Sequence, residues 1–283
     1  MYKIAILGCE NSHADAFVSL VKEGKYPDIE VVGVYSDEEE PPKKLNEAFG
    51  VPVMKNYDEL VGKVDGIMVT ARHGANHYKY AKPYLSSGIP MFIDKPITID
   101  GKEAEEFMSE AEKYGVRLCG GSTCVHIPCV KELKEKFSSG ELGEIVGGHL
   151  VCPINIAEKY GGFYFYTQHL VQIMTSVFGN AVERVYANRH GDKYSVIFDY
   201  GKFDVTAHYG HVGYYICEVY GENKAEKTEF VVTADDYKFE MDEMASLLKG
   251  GKQKTSYKDF IYPVKVLNAI KRSEENSSWE IVK

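Results

Sequence analysis

The sequence predicts an α/β protein, a doubly wound parallel sheet followed by an α+β domain on a mainly antiparallel sheet. Three observations lead there. Over residues 1–122 short β-rich apolar runs alternate with amphipathic helical segments, the rhythm of βαβ units. After about residue 122 four β-rich runs follow one another closely, and a connection as tight as Tyr200-Gly201-Lys202 requires antiparallel neighbours. With 283 residues, 44% of them hydrophobic, the chain can bury two cores. The expected domains are 1–122 and 123–283.

In order, Tyr2 to Gly8 reads as a buried strand that turns at a glycine into GCENSHADAFVSLVKEG, where Phe17, Leu20 and Val21 share one helical face. IEVVGVY (29–35) is the second strand; it ends at Ser36-Asp37 and closes a βαβ unit. Short helices are expected at 42–49, stopped by Gly50, and at 57–61, before a strand at 66–70. The helical pattern at 76–87 contains Pro83, which should kink it. The apolar run Met91 to Ile93 then stops in Asp94-Lys95-Pro96. Pro96 has no N–H for the ladder and biases Lys95 toward extended backbone, so the lysine should project from the strand's carboxyl end. That is the edge at which open α/β sheets bind ligands. Asp100, with Glu103 three residues on, starts another helix that Gly115 ends, and 116–120 is the last strand of this half. The second half should hold helices at 130–137 and 164–178 and strands at 145–152, 182–188, 194–200, 203–209 and 215–220. A fifth β-rich run at 230–233 and helices at 240–248 and 263–272 finish it.

Composition narrows the partners. A net charge of −9 lacks the basic footprint that nucleic acid or an anionic membrane surface needs. No apolar run approaches the roughly 20 residues of a membrane span, and the N-terminus lacks the pattern of a signal peptide. The expectation is a cytoplasmic protein with a small-molecule partner. The six cysteines contain no CxxC pair, as expected for thiols in a reducing compartment. Cys119, Cys124 and Cys129 invite a zinc reading, but their spacing lacks a chelating turn, and no metal is expected.

Gly8 stands where a dinucleotide fingerprint would begin, after a strand and before a helix. Against GxGxxG the chain reads Gly8-Cys9-Glu10-Asn11-Ser12-His13, so Glu10 and His13 replace two glycines. The helix N-terminus still offers N–H groups to a phosphate, with Asn11 or Ser12 as cap. Glu10 brings a carboxylate to that place unless its side chain turns away. A ribose would be read at Ser36-Asp37; Asp37 repels a 2′-phosphate and favours NAD, while Ser36 leaves NADP open. His73 and His77 are four apart, but Gly74 between them argues for a loop, with His77 capping the next helix or touching cofactor.

With these positions in place, the chain resembles the Gfo/Idh/MocA family of NAD(P)-dependent oxidoreductases, named for glucose-fructose oxidoreductase and inositol dehydrogenase. Val64 to Thr70, His77, and Gly88-Ile89-Pro90 leading to Asp94-Lys95-Pro96 are similar to the family's run into its EKP motif, with Asp94 for the glutamate. Lys95 thereby falls on the family's catalytic, nicotinamide-proximal lysine. Ser139 to Ile145 matches the stretch where the family passes into its substrate domain. Gly161-Gly162, His169-Leu170 and Phe178-Gly179 are similar to its GG, DxGxH and following helix, which implies a catalytic His169. Two departures stand out. Phe165 occupies the aspartate position, with Thr167 for the glycine, leaving Tyr166 or Tyr164 to supply a hydroxyl. Ser122-Thr123-Cys124-Val125-His126 replaces the family's basic pair.

The resemblance implies a Rossmann domain followed by a domain for substrate binding and homo-oligomer formation through its sheet. The implied reaction is hydride transfer between NAD(P) and a hydroxyl or carbonyl carbon of a sugar, polyol or similar molecule. The residues nominated for the cofactor are Gly8, Glu10, Asn11, Ser12, His13, Ser36, Asp37, Thr70, His73, His77, Asp94, Lys95 and Pro96. Two rival readings are NAD-assisted glycoside cleavage or elimination, and a non-catalytic binding protein, the latter favoured by Glu10 and Phe165.

Overall fold

The computed structural model describes residues 1–283. The chain forms two units, Met1–Gly121 with Thr233–Ile261, and Ser122–Val232 with Tyr262–Lys283.

The first unit is built on five parallel strands, β1 (Tyr2–Leu7), β2 (Ile29–Tyr35), β3 (Gly66–Val69), β4 (Met91–Asp94) and β5 (Leu118–Gly121), in the order β2-β1-β3-β4-β5. Beyond β2 the sheet continues as a single parallel bridge between Val34 and Val53, a strand too short to read in the sequence. β3 and β4 are buried at every residue, which is why they appear as unbroken apolar runs. The connecting helices are α1 (Ser12–Lys22), α2 (Glu40–Phe49), α3 (Ala75–Leu85) and α4 (Gly101–Lys113). Prolines open α2, where no intrahelical N–H is lost, and Gly50 closes it in the left-handed conformation. Asp100 caps α4 by accepting from the N–H groups of Lys102 and Glu103, both at 2.9 Å. One local expectation is corrected. Residues 57–61 form turns closed by bonds such as Val61 N–H to the Asp58 carbonyl, not a helix, because so short a stretch cannot offset the cost of nucleating one. α3 runs on to Leu85 with Pro83 inside it. Chain order reverses between β1 and β3, so the ends of β1 to β4 define the crevice where such sheets bind ligands.

The second unit contains α5 (Pro128–Ser139), β6 (Ile145–Pro153), α6 (Phe163–Phe178), β7 (Arg184–His190), β8 (Lys193–Asp199), β9 (Asp204–Gly210), β10 (Tyr215–Gly221) and β11 (Ala225–Phe230). The fifth run expected at 230–233 thus lies earlier. Its sequence AEKTEF hides it, because charges are how an edge strand discourages further pairing. The chain then returns to the first unit as α7 (Lys238–Leu248), a correction to the expected boundary. Met241, Met244, Leu247 and Leu248 of α7 join the core around Met68 and Phe92, and a Cβ on Gly66 would lie 2.5 Å from Met244 Cε. α8 (Tyr257–Asn276) and β12 (Glu280–Ile281) end the chain. The sheet order is β11-β10-β6-β9-β8-β7-β12, antiparallel except for the parallel β6–β9 pair. One face packs Val185, Val196, Phe198 and Val205 against Leu170 and Met174 of α6 and Leu267 and Ile270 of α8. The other carries a groove of about 730 Å³ lined by His149, Val151, Tyr186, Ile197, Thr206 and His208 among others. No helix is long and apolar enough to cross a membrane.

Candidate functional site

At the carboxyl edge of the first sheet, Asp94 ends β4 with no exposed surface. Its Oδ2 accepts from Asn11 Nδ2 at 2.7 Å and His13 Nδ1 at 2.9 Å, and its Oδ1 accepts from the Lys95 N–H at 2.7 Å. Lys95 Nζ lies 3.8 Å from Oδ2. The Lys95–Pro96 peptide is cis. Lys95 is only 3% exposed, its ammonium held beside Asp94. Buried charges persist only when paired and hydrogen-bonded, and here the partners are explicit. Burial alone would raise the Asp94 pKa, but His13 and then Lys95 hold it well below the usual carboxylate range. Burial opposes a charge on His13, yet Asp94 and then Glu240 keep its pKa above the ordinary value. Tyr237, from the returning segment, packs edge-on to the His13 ring at 4.4 Å.

Asn11 caps α1, its Oδ1 accepting from the His13 N–H at 3.4 Å and, also at 3.4 Å, from Ser12 Oγ. Glu10 turns toward the neighbouring strand ends. Its Oε2 accepts from Ser36 Oγ at 2.7 Å and its Oε1 from the Arg72 N–H at 3.1 Å. Asp37 accepts from the Tyr35 hydroxyl at 2.6 Å and from Lys79 Nζ at 3.2 Å. The carboxylate expected to read a ribose is therefore engaged by its own surroundings.

Other nominated residues brace the loops. Gly8 has φ +83°, and a Cβ there would lie 2.4 Å from the Ala71 backbone, so glycine is needed for close approach of two loops. Thr70 Oγ1 donates to the Gly8 carbonyl at 3.0 Å. His73 Nδ1 accepts from the Ala75 N–H at 3.2 Å at the start of α3. His77, expected to cap the helix or touch cofactor, lies inside α3 and is fully buried; its ring nitrogens sit 2.6 Å from the Pro96 carbonyl and 2.7 Å from the Ala71 carbonyl. Both nitrogens are spent on the main chain, tying the β3 loop to the β4 loop.

In the second unit His169 lies on α6, and its Nδ1 shares a hydrogen bond with Ser122 Oγ at 2.6 Å. The Cys124 Sγ is 3.7 Å from the same nitrogen, and the Tyr215 ring packs edge-on at 5.9 Å. Ser122 Oγ also accepts from the Cys124 N–H at 3.2 Å, which fixes the serine. Of the two tyrosines nominated beside the histidine, Tyr166 has its ring centre 6.4 Å from that of His169, and the Tyr164 hydroxyl accepts from Asn268 Nδ2 at 3.5 Å. Phe165 is buried. Ser122 was missed because it lies 47 residues from His169 in sequence; its only signal was its place directly after β5.

A dinucleotide fits the first unit on its own residues. The first-turn amides of α1 lack intrahelical acceptors, as at any helix N-terminus, and Glu10, the residue most hostile to a pyrophosphate there, is drawn off by Ser36 and Arg72. The strand order, the Gly8 turn and the buried lysine at the switch-point edge define a nucleotide-binding α/β unit. Residues 2–122 match the Gfo/Idh/MocA family, described as an oxidoreductase family with an NAD-binding Rossmann fold.

Among relatives, glucose-6-phosphate 3-dehydrogenase of Bacillus subtilis (strain 168) is 29% identical over 149 residues, 52% of this chain and 41% of the relative. Trans-1,2-dihydrobenzene-1,2-diol dehydrogenase of Oryctolagus cuniculus is 24% identical over 207 residues, 66% and 62% respectively. The matched stretches thus span less than two thirds of these relatives' own length. The crystal structure of scyllo-inositol dehydrogenase from Lactobacillus casei, with bound NAD(H) and scyllo-inositol, superposes with a TM-score of 0.85 at 14% identity, covering 100% of this chain and 99% of that one. At that identity the likeness is one of fold.

Proposed function

We propose that the chain is an NAD(P)-dependent oxidoreductase acting on a hydroxyl or carbonyl carbon of a small polar molecule, a sugar, polyol or derivative. The observation that carries this is the buried Asp94–Lys95 pair at the β4 end, held by Asn11 and His13 beside the switch point. When bound, the nicotinamide supplies the hydride acceptor or donor. The chain's own contribution is positional and electrostatic. Asp94 fixes the Lys95 ammonium, which would polarise the substrate oxygen, and the Ser122-held imidazole of His169 would take or return the hydroxyl proton. Amides of residues 10–12 would hold the phosphates and Ser36 with Glu10 the adenosine end. The bonds Glu10 makes remove one of the two features that favoured a binding protein without chemistry.

We also propose a homo-oligomer through the open face of the second unit's sheet, and work in a reducing cytoplasm, where six free thiols, five of them buried, persist. The test is binding followed by turnover. NADH or NADPH should quench protein emission on titration, and a panel of polyols and sugars should yield cofactor reduction that Lys95→Ala and His169→Ala each lower by about 100-fold or more. No binding of either cofactor at about millimolar concentration, far weaker than an ordinary KM, overturns the reading.

A further inference from the structure

We propose that Glu10 reads the adenosine ribose in this chain and sets its preference for NAD over NADP, the task the sequence assigns to Asp37; the inference rests on the cofactor reading above. Asp37 is poorly placed for that work. A carboxylate has about four lone-pair sites, and those of Asp37 already meet the Tyr35 hydroxyl and the Lys79 ammonium. Lys79 also pairs with its charge and sits over the Tyr57 and Tyr80 rings at 5.5 and 5.2 Å, so Asp37 has a cation beside it.

Glu10 differs on each count. It lies in the β1–α1 loop, at the place of the fingerprint's second glycine, where backbone approaches the cofactor most closely. Its carboxylate links the end of β2 through Ser36 to the loop after β3 through Arg72, so it spans the three strand ends nearest the switch point. Both of those bonds come from neutral donors, a hydroxyl and a backbone N–H, whereas Asp37 is paired with an ammonium. The Ser36 hydroxyl spends its one proton on Glu10 and accepts from the Glu38 N–H at 3.1 Å, so Ser36 has no donor left for a phosphate. A carboxylate with spare lone pairs accepts from ribose hydroxyls and repels a 2′-phosphate. The residue that looks like damage to a glycine motif is thereby a specificity device.

Calorimetric titration of the full chain with NADH and with NADPH tests this. Wild type should bind NADH more tightly. Glu10→Gln should narrow the NADPH-to-NADH ratio of Kd values by about 10- to 100-fold, the scale of a removed like-charge clash. Asp37→Asn should leave the ratio within about twofold, a surface-scale effect. Glu10→Ala provides a second variant, and either one that melts like wild type suffices. Equal affinity of wild type for both cofactors overturns the inference without any variant. So does a ratio that Asp37→Asn shifts and the Glu10 variants do not, in which case NADH binding itself still stands and only the assignment falls. Binding of neither cofactor overturns the parent reading and this one with it.

Discussion

Asp94→Asn should destabilise the first unit by about 3–5 kcal/mol, the cost of breaking a buried ion pair by removing one partner. The side chain it replaces is wholly buried, and its Oδ2 serves Asn11, His13 and Lys95 at 2.7, 2.9 and 3.8 Å. Asparagine keeps the volume and one acceptor, but its amide sets a donor against a donor on one side and removes the carboxylate charge that faces His13 and Lys95. At roughly 2–4 °C per kcal/mol the melting temperature should fall by about 10 °C. The pH dependence follows from the two shifts. The raised pKa of His13 contributes stability that is complete below its unfolded value of about 6.5 and is lost as pH rises through the folded value. The depressed pKa of Asp94 contributes stability present above its unfolded value of about 3.9 and lost as pH falls through the folded one. The penalty of the variant should therefore be greatest between about pH 5 and 6.5 and shrink toward alkaline pH as His13 loses its proton, with the Lys95 share remaining. Thermal melts followed by circular dichroism at about pH 5.5 and 9, with His13→Asn and the double variant, measure this across the window. A melting temperature within about 2 °C of wild type, under 1 kcal/mol at this size, refutes the reasoning. So does a penalty that grows with pH, or a double variant whose loss equals the sum of the singles.

Beside this, Ser122→Ala should lower turnover by about 10- to 100-fold, within the range of a placed proton-transfer group, while leaving NADH affinity within about twofold. An unchanged rate there with a large loss in Tyr166→Phe would return the role to the tyrosine. Sedimentation velocity should show an assembly larger than one chain, and a substitution of Ile197 to Lys on the open sheet face should shift it toward the monomer; a single wild-type species near 31.8 kDa refutes the assembly.

Much of the fold was legible because burial writes directly into pattern. β3 and β4, covered on both faces, are unbroken apolar runs, and β8 alternates Tyr194, Val196 and Phe198 toward the core. Legibility failed where stability comes from elsewhere in the chain. The Val34–Val53 bridge has no pattern of its own, β11 presents the charges of an edge, and the return of α7 to the first unit depends on a surface assembled by Met68, Phe92 and the missing side chain of Gly66. No local rule announces which unit a helix will join. The parallel β6–β9 pair, likewise, is fixed by topology and not by the residues of either strand.

The site shows the same division. The strand that stops in Asp94, Lys95 and Pro96 was visible in the sequence, but the burial of both charged side chains was not. What could not be read was how the departures from the glycine fingerprint answer one another. His13 stands where a glycine would allow close packing of helix on sheet, and its ring fills that space by meeting the carboxylate of Asp94. Asp94 stands for a longer glutamate, and its short side chain keeps the carboxylate against Asn11 and His13 at the strand end. Glu10, in place of another glycine, is satisfied only by Ser36 and Arg72, which lie 26 and 62 residues away. Taken singly, each substitution argues for a lost function, because an unpaired acid or base near a phosphate site costs binding energy. Taken together in space they leave no buried charge in this set unpaired, because each substituted side chain meets a partner supplied by another strand end, and a set of changes that balances its own electrostatics carries none of the binding cost that each would carry alone.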